Sequence, residues 1–533
     1  MEKDLPDKAA DIGRISAMGS TYLFAGKIAS TIIAAVGTII LGLFILEGDY
    51  GLYTVALIPA TTLILFQDWG VSSAITRKCA QCRVNNNEEE LRKTIIAGLT
   101  FEIAIGLLLT LLSILTANIL ASAIFGQPSS ALLMIIASAS ILSTAIFTVN
   151  QSIFVGFERM ELIALVSILQ AIVQSVSAPT LVMLGYGALG AIVGYVLTSI
   201  VGGLVSLIIL YSSILKKIKH IEVNTRDLFK TLKPLLHFGL PLAIGSMLGG
   251  LLIQFNSLLM ASYVKDLTMI GNYKVATNFA VLLTFFTVPI TTVLFPAFSK
   301  LDPKKELNVV KTVFASSIKY GALLLVPATM ILIVLSNPII GVFYGNKWVA
   351  AHQFLALSVL INLFSCLGYL TLAYFFSGLG DTKTVFKMNV VQLLTGIPLA
   401  LILIPWFGIN GMIIGLLIAG IPSMFIYLYV AWKKYRVKID YISSAKIFLA
   451  SLLSAMVIYV FLNLFPFSNW IELAIGFLLF LVIYIISVSL FGAVKQNDIR
   501  NLRAMFRGLG VISKILDIPL ILMELLIKKS SRA

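Results

Sequence analysis

The sequence predicts an all-α polytopic membrane protein of fourteen transmembrane helices, arranged as two parallel six-helix repeats plus a C-terminal helix pair. Three observations carry that reading. Fourteen apolar runs fill nearly all of the 533 residues. Each run is about 20 residues or longer, enough to cross a hydrocarbon core of roughly 30 Å. Lysine and arginine collect in every second gap between runs, the asymmetry that orients a membrane chain. Finally, several stretches recur after a shift of about 220 residues, which equals six runs.

In order, the runs begin near Gly19, Gly51, Thr94, Ala131, Leu162, Leu189, Leu235, Ile270, Val313, Phe354, Val385, Gly411, Ile447 and Ile471. Such segments must be helical, because lipid offers the backbone no hydrogen-bond partner. The first carries Gly19, Gly26, Ser30 and Gly37 on a single helical face, a small-residue stripe that lets a neighbouring helix come close. Prolines interrupt later runs at Pro59, Pro179, Pro241, Pro289, Pro327, Pro398 and Pro422. Each removes a backbone hydrogen bond and favours a kink, although ordinary membrane packing accounts for any single one. The tightest turns are Leu184 to Gly187, Phe407 to Gly411 and Phe467 to Glu472.

The gaps give the orientation. The odd-to-even gaps hold only Lys265 and Lys347. The even-to-odd gaps hold clusters, such as Arg77, Lys78, Arg83, Arg92 and Lys93 in one, and Lys433, Lys434, Arg436, Lys438 and Lys446 in another. Basic loops stay on the cytoplasmic side, so both termini are expected in the cytoplasm of a multi-pass cell-membrane protein. The formal net charge of +15 is then topogenic and attracts anionic lipid, and nucleic acid is not an expected partner. The N-terminus is polar and mixed in charge (Glu2, Lys3, Asp4, Asp7, Lys8, Asp11), and the first run is too long for a signal peptide. Cys79 and Cys82 form a CxxC without a second pair or a nearby histidine, His220, His237 and His352 being scattered. A zinc site needs four ligands, so no metal or other cofactor is expected, and free thiols are.

The repeat sets the domains. Gly51-Leu-Tyr53-Thr-Val55-Ala56 matches Gly271-Asn-Tyr273-Lys-Val275-Ala276, and Tyr186-Gly187 through Gly190 to Gly194 matches Phe407-Gly408 through Gly411 to Gly415. A shift of six spans preserves orientation, as in transporters whose halves are parallel repeats. The expected units are a bundle at 14–216, a second at 231–437, an appended pair at 442–493 and a cytoplasmic tail at 494–533, with a V-shaped cavity between the bundles. In the tail, Arg500, Arg503 and Arg507 recur at helical spacing beside Leu502, Met505 and Phe506, as in a helix lying on the inner membrane surface.

Ionisable groups inside spans are costly and so are candidates for a site. Lys27 in span one is a buried cation suited to a phosphate or carboxylate, or to pairing with Asp68 or Glu102. Asp68 sits in Gln67-Asp68-Trp69 of span two and could instead pair with a basic group at the cytoplasmic rim. Glu102 lies in span three, Lys274 in span eight and Lys319 in span nine; the last two can also snorkel to an interface. Gln170 and Gln174 share a face of span five, which suits sugar hydroxyls or helix–helix bonding. Asn150, Gln151, Gln254, Asn256, Asn278, Asn389 and Gln392 complete the polar set. No GxxxxGK[ST], HExxH or GxSxG is present, and no loop is long enough for a catalytic domain. The expectation is a transporter and not an enzyme.

The chain resembles the polysaccharide-transporter branch of the multidrug/oligosaccharidyl-lipid/polysaccharide exporter superfamily, from about Ile15 to Phe491. The resemblance rests on Gly51-Leu-Tyr53, Leu65-Phe66-Gln67-Asp68-Trp69-Gly70-Val71-Ser72-Ser73-Ala74, Phe238-Gly239-Leu240-Pro241, Gly271-Asn-Tyr273-Lys-Val-Ala276 and Ser377-Gly378-Leu-Gly380-Asp381-Thr382. It implies a flippase for a glycan on a polyprenyl phosphate or diphosphate, with Lys27 offsetting phosphate charge. Implied partners are that lipid-linked glycan, membrane lipids, a coupling ion and glycan-biosynthesis enzymes. Relatives often carry an acid late in span seven where this chain has Asn256, which puts borrowed ion coupling there in doubt. The alternatives are a cation-coupled multidrug antiporter on the same fold, which would want membrane carboxylates where only Asp68 and Glu102 exist, and a lipid II flippase. A membrane glycan polymerase or ligase would need a large external loop.

Overall fold

A computed structural model describes residues 5–219, 223–506 and 511–530, and no strand occurs among them. Glu2, Lys3, Asp4, His220 and Arg507 lie outside the described residues. Nine described helices are long and apolar enough to cross a membrane, or ten if one pair, bent by 57°, counts as a single span. The chain is a multi-pass membrane protein.

These ten segments hold twelve of the fourteen apolar runs, because two of them are double. The helix Thr382–Tyr435 has 54 residues and would be about 81 Å long if straight, far beyond one crossing. It breaks at Gly408, where φ is 55° and ψ is −130°. The segment Met160–Lys217 breaks in the same way at Gly185 and Gly187, both at positive φ. Glycine takes this backbone without the Cβ clash that other residues meet. The second and eighth runs are the remaining two, and each is divided by an interruption.

Contacts divide the chain into two units, Met1–Lys274 and Val275–Ala533. The first holds α1 (Leu5–Phe44), α2 (Glu47–Leu65), α3 (Val71–Val84), α4 (Glu88–Ile119), α5 (Ser130–Gly156), α6 (Met160–Leu181), α7 (Gly187–Ser213) and α8 (Thr225–Tyr263). Helix α5 is central and packs on α2, α3, α4 and α7. Helix α1 lies on α6 through its small-residue stripe. A methyl group at Gly26 would meet Ala164 Cβ at 2.4 Å, one at Gly37 would meet Ser175 Oγ at 2.3 Å, and Ser175 Oγ donates to the Ile33 carbonyl at 2.7 Å. Lipid competes for apolar surface, so this close approach and hydrogen bonding between helices hold such pairs together. Ser138 Oγ to Ser113 Oγ at 2.7 Å and Asn150 Nδ2 to Ser206 Oγ at 2.9 Å do the same across α4–α5 and α5–α7. Helix α8 packs on α2, α3 and α4, although the internal repeat makes it the opening helix of the second copy.

The second unit holds the end of α9 (Leu267–Ala280), then α10 (Thr284–Ser299), α11 (Leu307–Val334), α12 (Ser336–Tyr344), α13 (Ala351–Val359), α14 (Tyr369–Gly378), α15 (Thr382–Tyr435), α16 (Tyr441–Leu464), α17 (Asn469–Leu490), α18 (Gln496–Phe506) and α19 (Val511–Ser530). Its core is aromatic. Phe375 meets Phe298, Phe314 and Tyr435 edge-on at 5.2, 4.7 and 5.3 Å between ring centroids, each contact contributing about 0.5–1.5 kcal/mol beyond area burial. Asp381 caps α15 by accepting from Thr384 N, and its carboxylate also receives Lys434 Nζ at 2.6 Å, which ties the two ends of the broken helix together. The internal repeat is visible in the element order. Helices α2 and α9 begin at Glu47 and Leu267, α4 and α11 at Glu88 and Leu307, α5 and α13 at Ser130 and Ala351, α6 and α15 at Met160 and Thr382, an offset of 219 to 222 residues.

Ion pairs tie the tail to the second unit and to itself. Lys319, read as a residue free to snorkel, donates to Asp498 of α18 at 2.6 Å with both side chains nearly buried. Tyr320 OH also donates to Asp498. Within the tail, Arg503 bonds Asp517 and Glu524 of α19 at 2.6 and 2.8 Å.

Candidate functional site

The motif Gln67-Asp68-Trp69-Gly70 forms a break inside the second apolar run. Helix α2 ends at Leu65, and α3 begins at Val71 after Gly70 takes φ 79°. Asp68 Oδ1 accepts from the amides of Gly70 at 2.8 Å and Ser72 at 3.3 Å, so it serves the unfilled N–H groups that open a helix. Gln67 is buried against α5. With its amide turned to satisfy both neighbours, it donates to the Ile141 carbonyl and accepts from Ala145 N. Glu102 on α4 is fully buried, and neither of its carboxylate oxygens has a hydrogen-bond donor among the described residues. The Asp68 carboxylate is close enough to act on it electrostatically. The break therefore brings together two of the sequence-predicted acids, one satisfied and one not.

Two motifs far apart in sequence meet at this break. A Cβ added to Gly70 would lie 2.0 Å from the Gly239 carbonyl oxygen, and one added to Gly239 would lie 2.3 Å from the Gly70 oxygen. The backbones of Gly70 and Gly239 thus touch directly. About two helical turns towards the basic gap, the Arg77 guanidinium carbon lies 4.6 Å over the centre of the Phe238 ring. Below the contact opens a cavity of about 510 Å³ between α3, the start of α4 and the start of α8. Its acids are engaged. Lys78 pairs with Glu90 at 2.5 Å, Lys93 with Glu89 at 2.7 Å, and Lys93 lies 4.0 Å from Asp227. The hydrogen bond to Lys93 holds the Glu89 carboxyl below its ordinary value and Lys93 above its own. Sequence reasoning missed this cavity, because Arg77, Lys78 and Lys93 were read only as topogenic charge.

The other candidates are placed as follows. Lys27 is exposed, and its ammonium group has no hydrogen-bond or ion-pair partner among the described residues. It is not a buried cation paired with Asp68 or Glu102, because α1 packs mainly on α6 and presents Gly26 and Ser30 inward. Gln170 lies against α7, where a Cβ on Gly202 would meet its amide nitrogen at 1.9 Å, and Gln174 is half-buried on the same helix. Helices α1 and α6 thus hold Lys27, Gln170 and Gln174 on two adjoining elements. Asn256 is buried and its amide donates to the Leu252 carbonyl of its own helix at 2.7 Å. Gln254 accepts from Thr62 at 3.4 Å, joining α8 to α2. Lys274 and Asn278 are half-buried on α9. Cys79 and Cys82 are free and buried, and no cluster of metal-ligating side chains occurs among the described residues.

The profile of the family described as polysaccharide biosynthesis protein matches residues 16–302. Stage V sporulation protein B of Bacillus subtilis (strain 168) is 25% identical over 351 residues, covering 62% of this chain and 67% of that protein. A probable low-salt glycan biosynthesis flippase, Agl15 of Haloferax volcanii, is 22% identical over 279 residues, covering 52% of this chain and 57% of that protein. The match spans little more than half the length of that archaeal relative. Among solved structures, lipid II flippase MurJ in an inward closed conformation superposes with a TM-score of 0.72 at 20% identity, covering 88% of this chain and 98% of that one. An inward-facing multidrug resistance transporter of the MATE family and MOP superfamily superposes with a TM-score of 0.60 at 16% identity, covering 76% and 94%. These two likenesses show the fold.

Proposed function

This chain belongs to the polysaccharide biosynthesis protein family, and from that premise we propose that it is a flippase for lipid-linked glycans. It moves an oligosaccharide or polysaccharide unit on a polyprenyl phosphate or diphosphate from the cytoplasmic to the outer leaflet by alternating access. The observation that carries the reading is the family match across the first half of the chain. The description of the archaeal relative as a glycan biosynthesis flippase supports the substrate class.

The arrangement proposed is fourteen spans in the cell membrane with both termini cytoplasmic. Bundles 14–216 and 231–437 are the moving halves, 442–493 an appended pair and 494–533 a cytoplasmic tail. The absence of a phosphate-binding loop motif in the sequence leaves an ion gradient, the membrane potential or the substrate gradient as the drive. The glycan's partners are membrane lipids, a coupling ion and the enzymes that build the glycan. Exposed and with no side-chain partner among the described residues, Lys27 is the cation assigned to the carrier phosphate, and Gln170 and Gln174 on the adjoining helix are assigned to sugar hydroxyls. Asp68, Glu102, Asn256, Lys274 and Asn278 are assigned to the cavity wall.

The test uses proteoliposomes carrying the wild type or Lys27→Ala and a fluorescent polyprenyl-diphosphate glycan. The expected result is flipping by the wild type and its loss in a variant that inserts and melts normally. Equal flipping by both removes Lys27 from the site. Transport of cationic dyes with no movement of the glycan replaces the flippase reading with a drug antiporter.

A further inference from the structure

The cavity between α3, α4 and α8 has a feature the flippase reading does not use. Its three acids are engaged by Lys78, Lys93 and Asn87. That leaves two cations of its lining, Arg77 and Lys230, with no carboxylate partner or hydrogen-bond acceptor among the described residues. Arg77 is held over the Phe238 ring, its guanidinium carbon 4.6 Å from the ring centroid. Stacking immobilises a guanidinium while leaving its in-plane N–H fork free, which is the arrangement that takes two phosphate oxygens at once. Thr231 adds a hydroxyl to the same wall.

The wall continues into an apolar path. Phe238 and Leu242, one turn apart on the same face of α8 and leading away from the basic gap, are both exposed. A polar head in the cavity would have its chain beside these side chains. A free phosphate would gain nothing from them, whereas a lipid would lose apolar area from water along its length.

We propose that this cavity is a docking site for the phosphate or diphosphate head of a lipid, held by Arg77 and Lys230 with its chain along α8. The proposal rests on the orientation given above, which puts the basic gap at the inner leaflet. Two sources share this chemistry: the lipid carrier of the glycan, and bulk anionic phospholipid. In the first case the site collects substrate before the central cavity; in the second it seats α8 against the leaflet.

The experiment is equilibrium binding of radiolabelled farnesyl diphosphate to the purified full chain in phosphatidylcholine nanodiscs. Wild type is compared with Arg77→Gln, Lys230→Gln and Arg83→Gln. The last removes a cation of the same gap that lies over Phe157 and bonds the Gly156 carbonyl. Arg77→Gln and Lys230→Gln should each weaken binding about tenfold or more, and Arg83→Gln by less than about twofold, as expected when a charged hydrogen bond is lost at one site and not at another. Competition by phosphatidate as strong as by unlabelled farnesyl diphosphate assigns the site to bulk lipid; competition by prenyl diphosphates alone assigns it to the carrier. No saturable binding by the wild type, or equal binding by all four proteins, overturns the site. Lys230 is exposed, so Lys230→Gln keeps the test decisive if Arg77→Gln does not fold. Binding is read without transport: a protein that binds as expected but never flips glycan overturns the flippase reading alone, and one that flips with unaltered binding in both variants overturns this site alone.

Discussion

The contact between Gly70 and Gly239 makes a sharp claim about a single methyl group. In an ordinary helix, glycine to alanine is favourable by about 1 kcal/mol, and Gly239 is helical. By propensity alone Gly239→Ala should stabilise the protein. The structure says otherwise. The new Cβ would lie 2.3 Å from the Gly70 oxygen and 2.4 Å from its carbon, where ordinary contact begins at 3.4 Å. Two backbones must separate by about 1 Å, and backbone atoms cannot rotate aside as a side chain can. The Gly70 amide is also pinned by Asp68. Such overpacking costs about 1–3 kcal/mol, occasionally more. Gly245, on the same helix, has nothing within 4 Å of its added Cβ, so Gly245→Ala keeps the propensity gain without the clash. The difference between the two variants therefore isolates the contact, at about 1–3 kcal/mol in favour of Gly245→Ala. Thermal unfolding of both in one detergent measures it. We expect Gly245→Ala to melt at or above the wild type and Gly239→Ala clearly below. Gly239→Ala melting as high as Gly245→Ala refutes the contact.

Three further predictions follow from partners seen in the structure. Lys319→Ala leaves the nearly buried Asp498 without its cation and should loosen the tail by about 2 kcal/mol or more, while Lys319→Met with Asp498→Leu should recover much of that loss; limited proteolysis of the tail reads both. Burial alone would push the Asp381 carboxyl up, but Lys434 and Thr384 outweigh it and hold the group below its ordinary range. Its contribution is then present above the unfolded value near 3.9 and is lost as pH falls below it, so Asp381→Asn should cost about 1 kcal/mol at neutral pH, and its melting temperature should converge on the wild type as pH drops through about 4. Asp68→Asn should keep the helix cap and Asp68→Ala lose about 1 kcal/mol; an Asn variant that melts normally but does not flip glycan would give the carboxylate a role beyond capping.

Much of the fold is legible in the sequence, for reasons that are local. Run length, the basic gaps and the Gly26, Ser30 and Gly37 stripe depend on residues within a few turns of one another, and the structure seats α1 on α6 through that stripe. The breaks at Gly187 and Gly408 show as repeated glycines at turns. What stays hidden depends on partners far away in the chain. Lys319 looks free to snorkel because Asp498 is 179 residues distant. The cap that Asp68 makes is hidden because an apolar run conceals the turn in which it stands. The packing of α8 with the first unit is invisible to a repeat, which records ancestry of sequence and not contact. Arg503 is the exception, since Asp517 and Glu524 stand two helical turns apart and could have been read as its partners.

The most direct test of the flippase account follows a labelled polyprenyl-linked glycan in vesicles with and without the wild-type protein, using a glycosidase that cannot cross the membrane. In protein-free vesicles digestion should stop at the outer-leaflet share. With the protein it should continue towards completion at a rate that scales with protein content. Digestion that halts at the same plateau in both, for prenyl diphosphate and monophosphate carriers and with or without an ion gradient, would contradict the account.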